Sequence, residues 1–452
     1  MDNDTLSLLR AGKLGGIRRL DLSCGLTEFP PEIFSLADSL EILNLSGNQL
    51  DRLPADLHRL HRLQVIFCSD NRFTELPAAL GSCARLEVVG FKANRIHAVP
   101  AAALPPRLRW LILTDNCVDT LPDELGRRPR LQKLMLAGNR LQALPASLSD
   151  CRQLELVRIA ANRFESFPEL LTTLPRLAWL AFSGNPFATA RRPQKHQAPI
   201  ATIDWQDLVL GAVLGEGASG VIHRAVNTRH ADQPAVAVKL FKGAVTSDGL
   251  PEDEMAACMT AGSHPALVGA SASIVHHPEG RHGLLMPLVD PSMRVLAGPP
   301  SLASCTRDVY PAGFAPTYRA AIAMALQIAS AGAHLHANGI LHGDLYGHNI
   351  LQDGRGHALL GDFGAASFFD SLEEKQALSL QRMEVRAFGC LLEELLAHTP
   401  ACDNDPAIDS LRDRCLSDEP ASRPLFTEIH RTLARCASAQ PLTGLPTPQA
   451  SV

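Results

Sequence analysis

The second half of this 452-residue chain holds three glycines and four polar residues whose types and order could handle phosphate. Gly215, Gly217 and Gly220 in LGEGASGVI form G-x-G-x-x-G, with the β-branched Ile222 just beyond. Backbone without Cβ atoms can close over phosphate oxygens. The same spacing opens dinucleotide-binding βαβ units, so alone it decides little. Such a unit would need an acidic residue about 20 residues further on. Here another strand-like run follows, AVAVKLF, with Ala237 and Lys239. A lone strand lysine is ordinarily a solvated charge; behind a glycine loop it becomes a candidate phosphate ligand. Downstream, LHANGILHGDLYGHNIL places Asn349 five residues after Asp344, and Asp362-Phe363-Gly364 begins thirteen residues beyond Asn349. Three oxygen-bearing side chains thus follow the lysine in a fixed order.

Taken together, these segments resemble the protein kinase family: glycine loop, A-x-K, H-R-D-L-x-x-x-N and D-F-G, all in kinase order. The resemblance implies ATP and Mg²⁺ as cofactors. It implies that Gly215, Gly217, Gly220, Ile222 and Ala237 surround the nucleotide and that Lys239 holds its α- and β-phosphates. Asp344 would orient and deprotonate the substrate hydroxyl, while Asn349 and Asp362 would hold the metal. The lysine needs an acidic partner on the next helix, in PEDEMAACMTAGSHPALV. Counting back from His264-Pro265 favours Glu254 and leaves Glu252 open. Simple helix-start acidity, which suits the helix dipole, is the competing reading. Met286 in GLLMPLV looks like the residue guarding the back of the nucleotide pocket. EVRAFGCLLEELL resembles the D-V-W-S-F-G helix with Glu384 for the aspartate, and DEPASRP resembles the segment carrying the C-lobe arginine, here Arg423. His334 and His336 read as packing residues rather than metal ligands.

The chain also departs from the family. Gly343 replaces the arginine before the catalytic aspartate, which in many kinases grips a phosphorylated activation loop. Tyr346 stands where serine/threonine kinases carry a lysine, and His348 is the candidate to take over. Only 22 residues separate Asp362 from Glu384, with no A-P-E; Glu373 or Glu374 is the candidate replacement. Two readings follow: an ATP-dependent kinase with a serine/threonine preference, or a pseudokinase scaffold that binds nucleotide and partners with little phosphotransfer.

The first half is a repeat array, which has to be recognised before any fold is assigned. Anchors Ile17, Leu40, Leu63, Leu86, Leu108, Leu131, Leu154 and Leu177 step by 23 residues, once by 22. Eight residues after seven of them stands an asparagine, from Asn48 to Asn185, and Gly25 takes that place in the first unit. One unit cannot bury its own core, but stacked units can. The block resembles bacterial leucine-rich repeats over about residues 14–187. Its variable strand positions include Phe67, Trp110, Ile112, Met135 and Trp179, an apolar strip of the kind that marks a binding surface. That concave face is expected to dock a protein, either a substrate or the kinase domain itself.

The expected fold is an α/β leucine-rich-repeat solenoid followed by a two-lobed α+β protein kinase fold. The expected divisions are repeats over 1–187, a linker over 188–203, the kinase domain over 204–437 and a disordered tail over 438–452. Composition is that of a globular protein, 46% hydrophobic and 20% charged. The formal net charge of −5 gives no reason to expect nucleic acid as a partner. The acidic N-terminus does not resemble a signal peptide, no run of 18 apolar residues suggests a membrane span, and 11 scattered cysteines suit a reducing cytoplasm.

Overall fold

The computed structural model describes residues 2–189, 201–217, 219–230, 234–243, 246, 248–400 and 405–439. Most of the expected linker and all but the first two residues of the expected tail lie outside the described residues. After a short helix, α1 (Asp2–Arg10), the first half forms one parallel sheet of eight three-residue strands. They are β1 (Arg19–Asp21), β2 (Ile42–Asn44), β3 (Val65–Phe67), β4 (Val88–Gly90), β5 (Trp110–Ile112), β6 (Lys133–Met135), β7 (Leu156–Arg158) and β8 (Trp179–Ala181). Middle residues such as Leu43, Leu111 and Leu134 are fully buried, and their flanking neighbours face the concave side.

The asparagines explain the repeat. Asn48 Nδ2 donates to Leu22 O and Leu45 O at 2.8 Å each, while its Oδ1 accepts from Leu26 N at 2.9 Å. Each asparagine thus satisfies buried backbone groups of two adjacent units. The residue just before it turns left-handed in every unit: Gly47, Asp70, Ala93, Asp115, Gly138, Ala161 and Gly184 all have positive φ. The outer return is a 3-10 turn that in six units opens just after a proline, as at Pro145 before Ala146–Asp150.

A helical turn, α2 (Pro186–Thr189), closes the array. The second half begins with β9 (Thr202–Asp204), β10 (Leu208–Glu216), β11 (Gly220–Asn227) and β12 (Val236–Phe241). Helix α3 (Pro251–Ala261) follows, then β13 (Ala272–Val275) and β14 (Gly283–Pro287). These strands make a six-stranded sheet ordered β10-β11-β12-β14-β13-β9, antiparallel except for the β13–β9 pair. The helical lobe contains α4 (Tyr318–Ala337), α5 (Glu374–Ala397), α6 (Pro406–Cys415) and α7 (Phe426–Ala439). Short strands β15 (Arg294–Val295), β16 (Ile340–Leu341), β17 (Ile350–Gln352), β18 (Ala358–Leu360) and β19 (Ser367–Phe368) frame its upper side. Among the described residues α4 is long and apolar enough to cross a bilayer, but here Ala321, Ala325, Ile328 and Leu335 are buried in the lobe's core.

The two halves share their cores. Leu341, Phe369, Leu380 and Met383 pack into the core of the repeats. In return, Leu156, Ala178 and Trp179 pack into that of the helical lobe. Between them, Ala137, Ala160 and Ala181 of the repeats meet Ala365 in a patch of small side chains that lets the backbones approach closely.

Candidate active site

The glycine loop is the turn between β10 and β11. Gly215 lies opposite Ile222, and Gly217 N donates to Gly220 O at 2.9 Å. At Gly220 a Cβ would sit 2.5 Å from Leu240 O, so a side chain there would force the sheet apart. Gly215 and Gly217 face open space.

Lys239 projects from β12 beneath this loop. Its Nζ is paired with the Glu254 carboxylate on α3 and lies 3.6 Å from Asp362 Oδ1. Glu252, the alternative partner, instead approaches His282 at 3.1 Å. Burial pushes the Glu254 carboxyl up to about 7, against the pull of Lys239. Despite its own burial, Lys239 is held above its ordinary value by Asp362 and Glu254. Asp362, also opposed by burial, is held below the usual carboxylate range by Lys239. Ala237 and Met286 stand opposite each other on β12 and β14, both buried.

One prediction follows from this pair. Glu254 is ionised above about pH 7 and neutral below it, so acidification removes the anchor that aims Lys239. Nucleotide affinity should therefore fall as pH drops from 8 to 6, by up to about tenfold, roughly 1.4 kcal/mol. Glu254→Gln should bind weakly at both pH values and lose this extra slope. Titration calorimetry on both proteins checks it; parallel slopes would contradict it.

The catalytic-loop residues lie across the cleft. Asn349 Nδ2 donates to Asp344 O at 2.9 Å and Asp344 Oδ2 at 2.8 Å. With its amide nitrogen so committed, Asn349 turns Oδ1 toward other duty. Asp362 adopts φ +53, an uncommon conformation for a residue with a Cβ, and its Oδ1 accepts from Gly364 N at 3.1 Å. Such strain, held by a local hydrogen bond, clusters at functional sites. One amide oxygen and one low-pKa carboxylate make an all-oxygen donor pair, which fits a hard divalent cation sharing phosphate oxygens. Glu384 anchors the loop from below: it accepts from Gly343 N at 2.6 Å and His336 Nε2 at 2.8 Å. His336 is thus a buried structural partner, and His334 bonds Ala261 O at 2.6 Å. His348 Nδ1 bonds Asp308 Oδ1 at 2.7 Å, and its Nε2 stands 4.0 Å from Asp344 Oδ2. Burial opposes the charge on His348, but Asp308 and Asp344 raise its pKa.

The repeats reach the same place. Trp179 stacks on Tyr346 at 4.2 Å, and its Nε1 donates to Leu345 O at 3.0 Å. Trp179 is only 2% exposed: at this end of the expected docking strip the occupant is the second half of the chain itself. Phe67, Trp110, Ile112 and Met135 remain half-buried on the concave face. Arg158, which the sequence reading passed over, is paired with Asp344 and hydrogen-bonds Gly343 O at 3.1 Å. Its one signal in the sequence was a cation at a variable strand position, which Arg19 and Lys133 share. Burial pushes the Asp344 carboxyl up, with Arg158 pulling it back. Arg423 donates to Ser417 O at 2.9 Å and, across the seam, to Pro175 O at 2.5 Å. Glu374, a candidate A-P-E stand-in, begins α5 beside the turn Glu169–Thr173.

Residues 208–383 match the protein kinase domain family model, and residues 39–60 match the leucine-rich repeat model. A serine/threonine-protein kinase-like protein of Arabidopsis thaliana is 28% identical over 29% of this chain and 54% of its own length. The serine/threonine-protein kinase PITSLRE of Drosophila melanogaster is 26% identical over 43% of this chain and 22% of its own. The serine/threonine-protein kinase PrkC of Bacillus subtilis is 30% identical over 22% of this chain and 18% of its own. The chain therefore spans about half the length of the first of these relatives and far less of the others. The chain thus carries a leucine-rich repeat and a protein kinase domain.

Proposed function

We propose that the chain transfers the γ-phosphate of Mg·ATP to serine or threonine hydroxyls of proteins, in the cytoplasm, with the repeats contributing to protein recognition. The observation that carries this reading is the assembly, around one cleft, of Lys239 with Glu254, Asp362 within 3.6 Å of that lysine, and Asn349 bonded to Asp344. Names of the relatives, all serine/threonine kinases, support the hydroxyl class. Free thiols such as Cys68, Cys151, Cys258 and Cys390 support a reducing compartment.

In this reading Lys239 fixes the α- and β-phosphates. The substrate hydroxyl oxygen bonds the γ-phosphorus as the bond to the bridging oxygen breaks, and Asp344 accepts the hydroxyl proton. A divalent cation held by Asn349 Oδ1 and Asp362 would neutralise the charge developing on the phosphate oxygens. The open part of the concave face, with Phe67, Trp110 and Ile112, is the proposed protein-docking strip. The pseudokinase reading draws on Tyr346, which lies under Trp179 and brings no cation to the catalytic loop.

Incubation of the full chain with γ-labelled ATP, Mg²⁺ and a mixed protein substrate tests the proposal. Acid-stable label on serine or threonine, lost with EDTA, is the expected result. No transfer, with Mg·ATP still raising Tm, would favour the pseudokinase.

Activity should not depend on phosphorylation of the short activation segment. Ser367 is fully buried, its Oγ accepting from Phe182 N at 3.0 Å, so no second kinase can reach it in the folded chain. Gly343 in turn brings no arginine to grip a phosphate. Phosphatase treatment should leave the rate unchanged; a large drop traced to Ser367, Ser371 or Ser379 would contradict this.

A further inference from the structure

Arg158 ends β7 on the concave face and is 1% exposed. Its guanidinium makes three contacts with the second domain: Nε donates to Asp248 Oδ1 at 2.6 Å, Nη1 to Gly343 O at 3.1 Å, and Nη2 to Asp344 Oδ1. A buried guanidinium is tolerable only when paired and hydrogen-bonded in this way. Asp248 lies just ahead of α3, the helix that carries Glu254. One side chain of the repeats thus ties the start of α3 to the catalytic loop.

At positions 343 and 346 the catalytic loop cannot supply this cation itself, and its His348 stands 4.0 Å away on the other oxygen, Oδ2. Gly343 has φ +73, and a Cβ there would lie 2.6 Å from both Ala365 O and Leu180 O. Leu180 belongs to β8, so the close approach of the repeats is part of what excludes a side chain at the position where kinases carry arginine. Tyr346, the other position where a cation is customary, is pressed flat against Trp179 with an interplanar angle of 6°. Repeat residues close both positions, and a repeat residue brings a guanidinium to the same carboxylate.

We infer that Arg158 is a positioning residue for phosphotransfer, supplied by the repeat domain in place of the missing loop cations. It holds Asp344 Oδ1 while Asn349 holds Oδ2, and each oxygen keeps a further lone pair for the substrate hydroxyl. The opposite reading is a lock that the repeats release to start catalysis. The shared cores speak against it, because withdrawing the repeats would expose Leu341, Phe369, Leu380 and Met383. The inference rests on the kinase reading above.

The test measures kcat and KM for ATP on the full chain, with the Mg·ATP-induced Tm rise confirming an intact nucleotide site. Arg158→Met should lose about 100-fold in kcat, the scale of a misplaced reacting group, with KM for ATP little changed. Arg158→Lys keeps the charge and loses the fork, and should fall between, about tenfold down. Added methylguanidinium should restore part of kcat to Arg158→Ala. A folded Arg158→Met as fast as wild type would overturn the inference, and a faster one would mark a lock. Should Arg158→Met not fold, Arg158→Lys decides: wild-type or higher kcat overturns the inference. Absence of transfer by the wild-type chain would instead overturn the kinase reading, and this inference with it.

Discussion

Asp344→Asn should lower phosphotransfer by about 10²–10⁴-fold, the usual worth of a positioned general base, while the Mg·ATP-induced rise in Tm stays near the wild-type value. The separation follows from geometry. Asp344 belongs to the group at the catalytic loop, bonded to Asn349 and Arg158, whereas Lys239, Glu254 and Asp362 form the separate group proposed to hold the phosphates. Asparagine keeps one acceptor oxygen for Arg158 and gives up the side-chain bond from Asn349, which still donates to the Asp344 backbone carbonyl, and Asp248 still neutralises Arg158, so the fold should tolerate the change. What it loses is the ability to take the proton. Single-turnover transfer and a thermal-shift titration on the same preparation check both halves. An unchanged turnover would remove Asp344 from the base role.

Trp179→Ala should destabilise the chain by about 3–5 kcal/mol, the cost of deleting a large aromatic from a packed core. The sequence alone places Trp179 and Trp110 on the same concave strip. In the structure the two differ. Trp179 is buried between the domains, stacked on Tyr346 and bonded to Leu345 O. Trp110 is half-buried, with Lys133 Nζ 4.5 Å above its ring and its N–H on Met135 Sδ. Trp110→Ala should therefore cost far less, about 1 kcal/mol, within the common range for point mutations. Denaturant midpoints of the two single variants decide it. Equal, small losses would mean that the domains do not share a core at Trp179.

The contrast shows what the sequence could carry. The repeats were legible because each unit repeats the same local solution, an inward leucine and a turn asparagine, so the signal accumulates over eight copies. Kinase motifs were legible because their order follows the chain. Counting from His264-Pro265 favoured Glu254 but left Glu252 open, since both suit a helix start; the reach of Lys239 from β12 to α3 separates them. The seam was less legible still. Arg158 meets partners 90 and 186 residues away, and nothing local distinguishes it from a solvated strand arginine. Gly343 and Tyr346 stood out as departures, but their cause lies in the approach of Leu180 and Trp179 from the other domain. A missing residue in a motif was here the imprint of a neighbour.

That two domains jointly build the surroundings of the Asp344 carboxylate can be tested most directly by cutting between them. A protease site placed within residues 190–200 allows the backbone to be severed after folding. If the shared core and the Arg158 pairs hold the halves together, the cut fragments will co-elute at the volume of the uncut chain and keep the Mg·ATP-induced rise in Tm. Fragments that separate under native conditions, with the kinase half still soluble and binding Mg·ATP alone, would contradict the account.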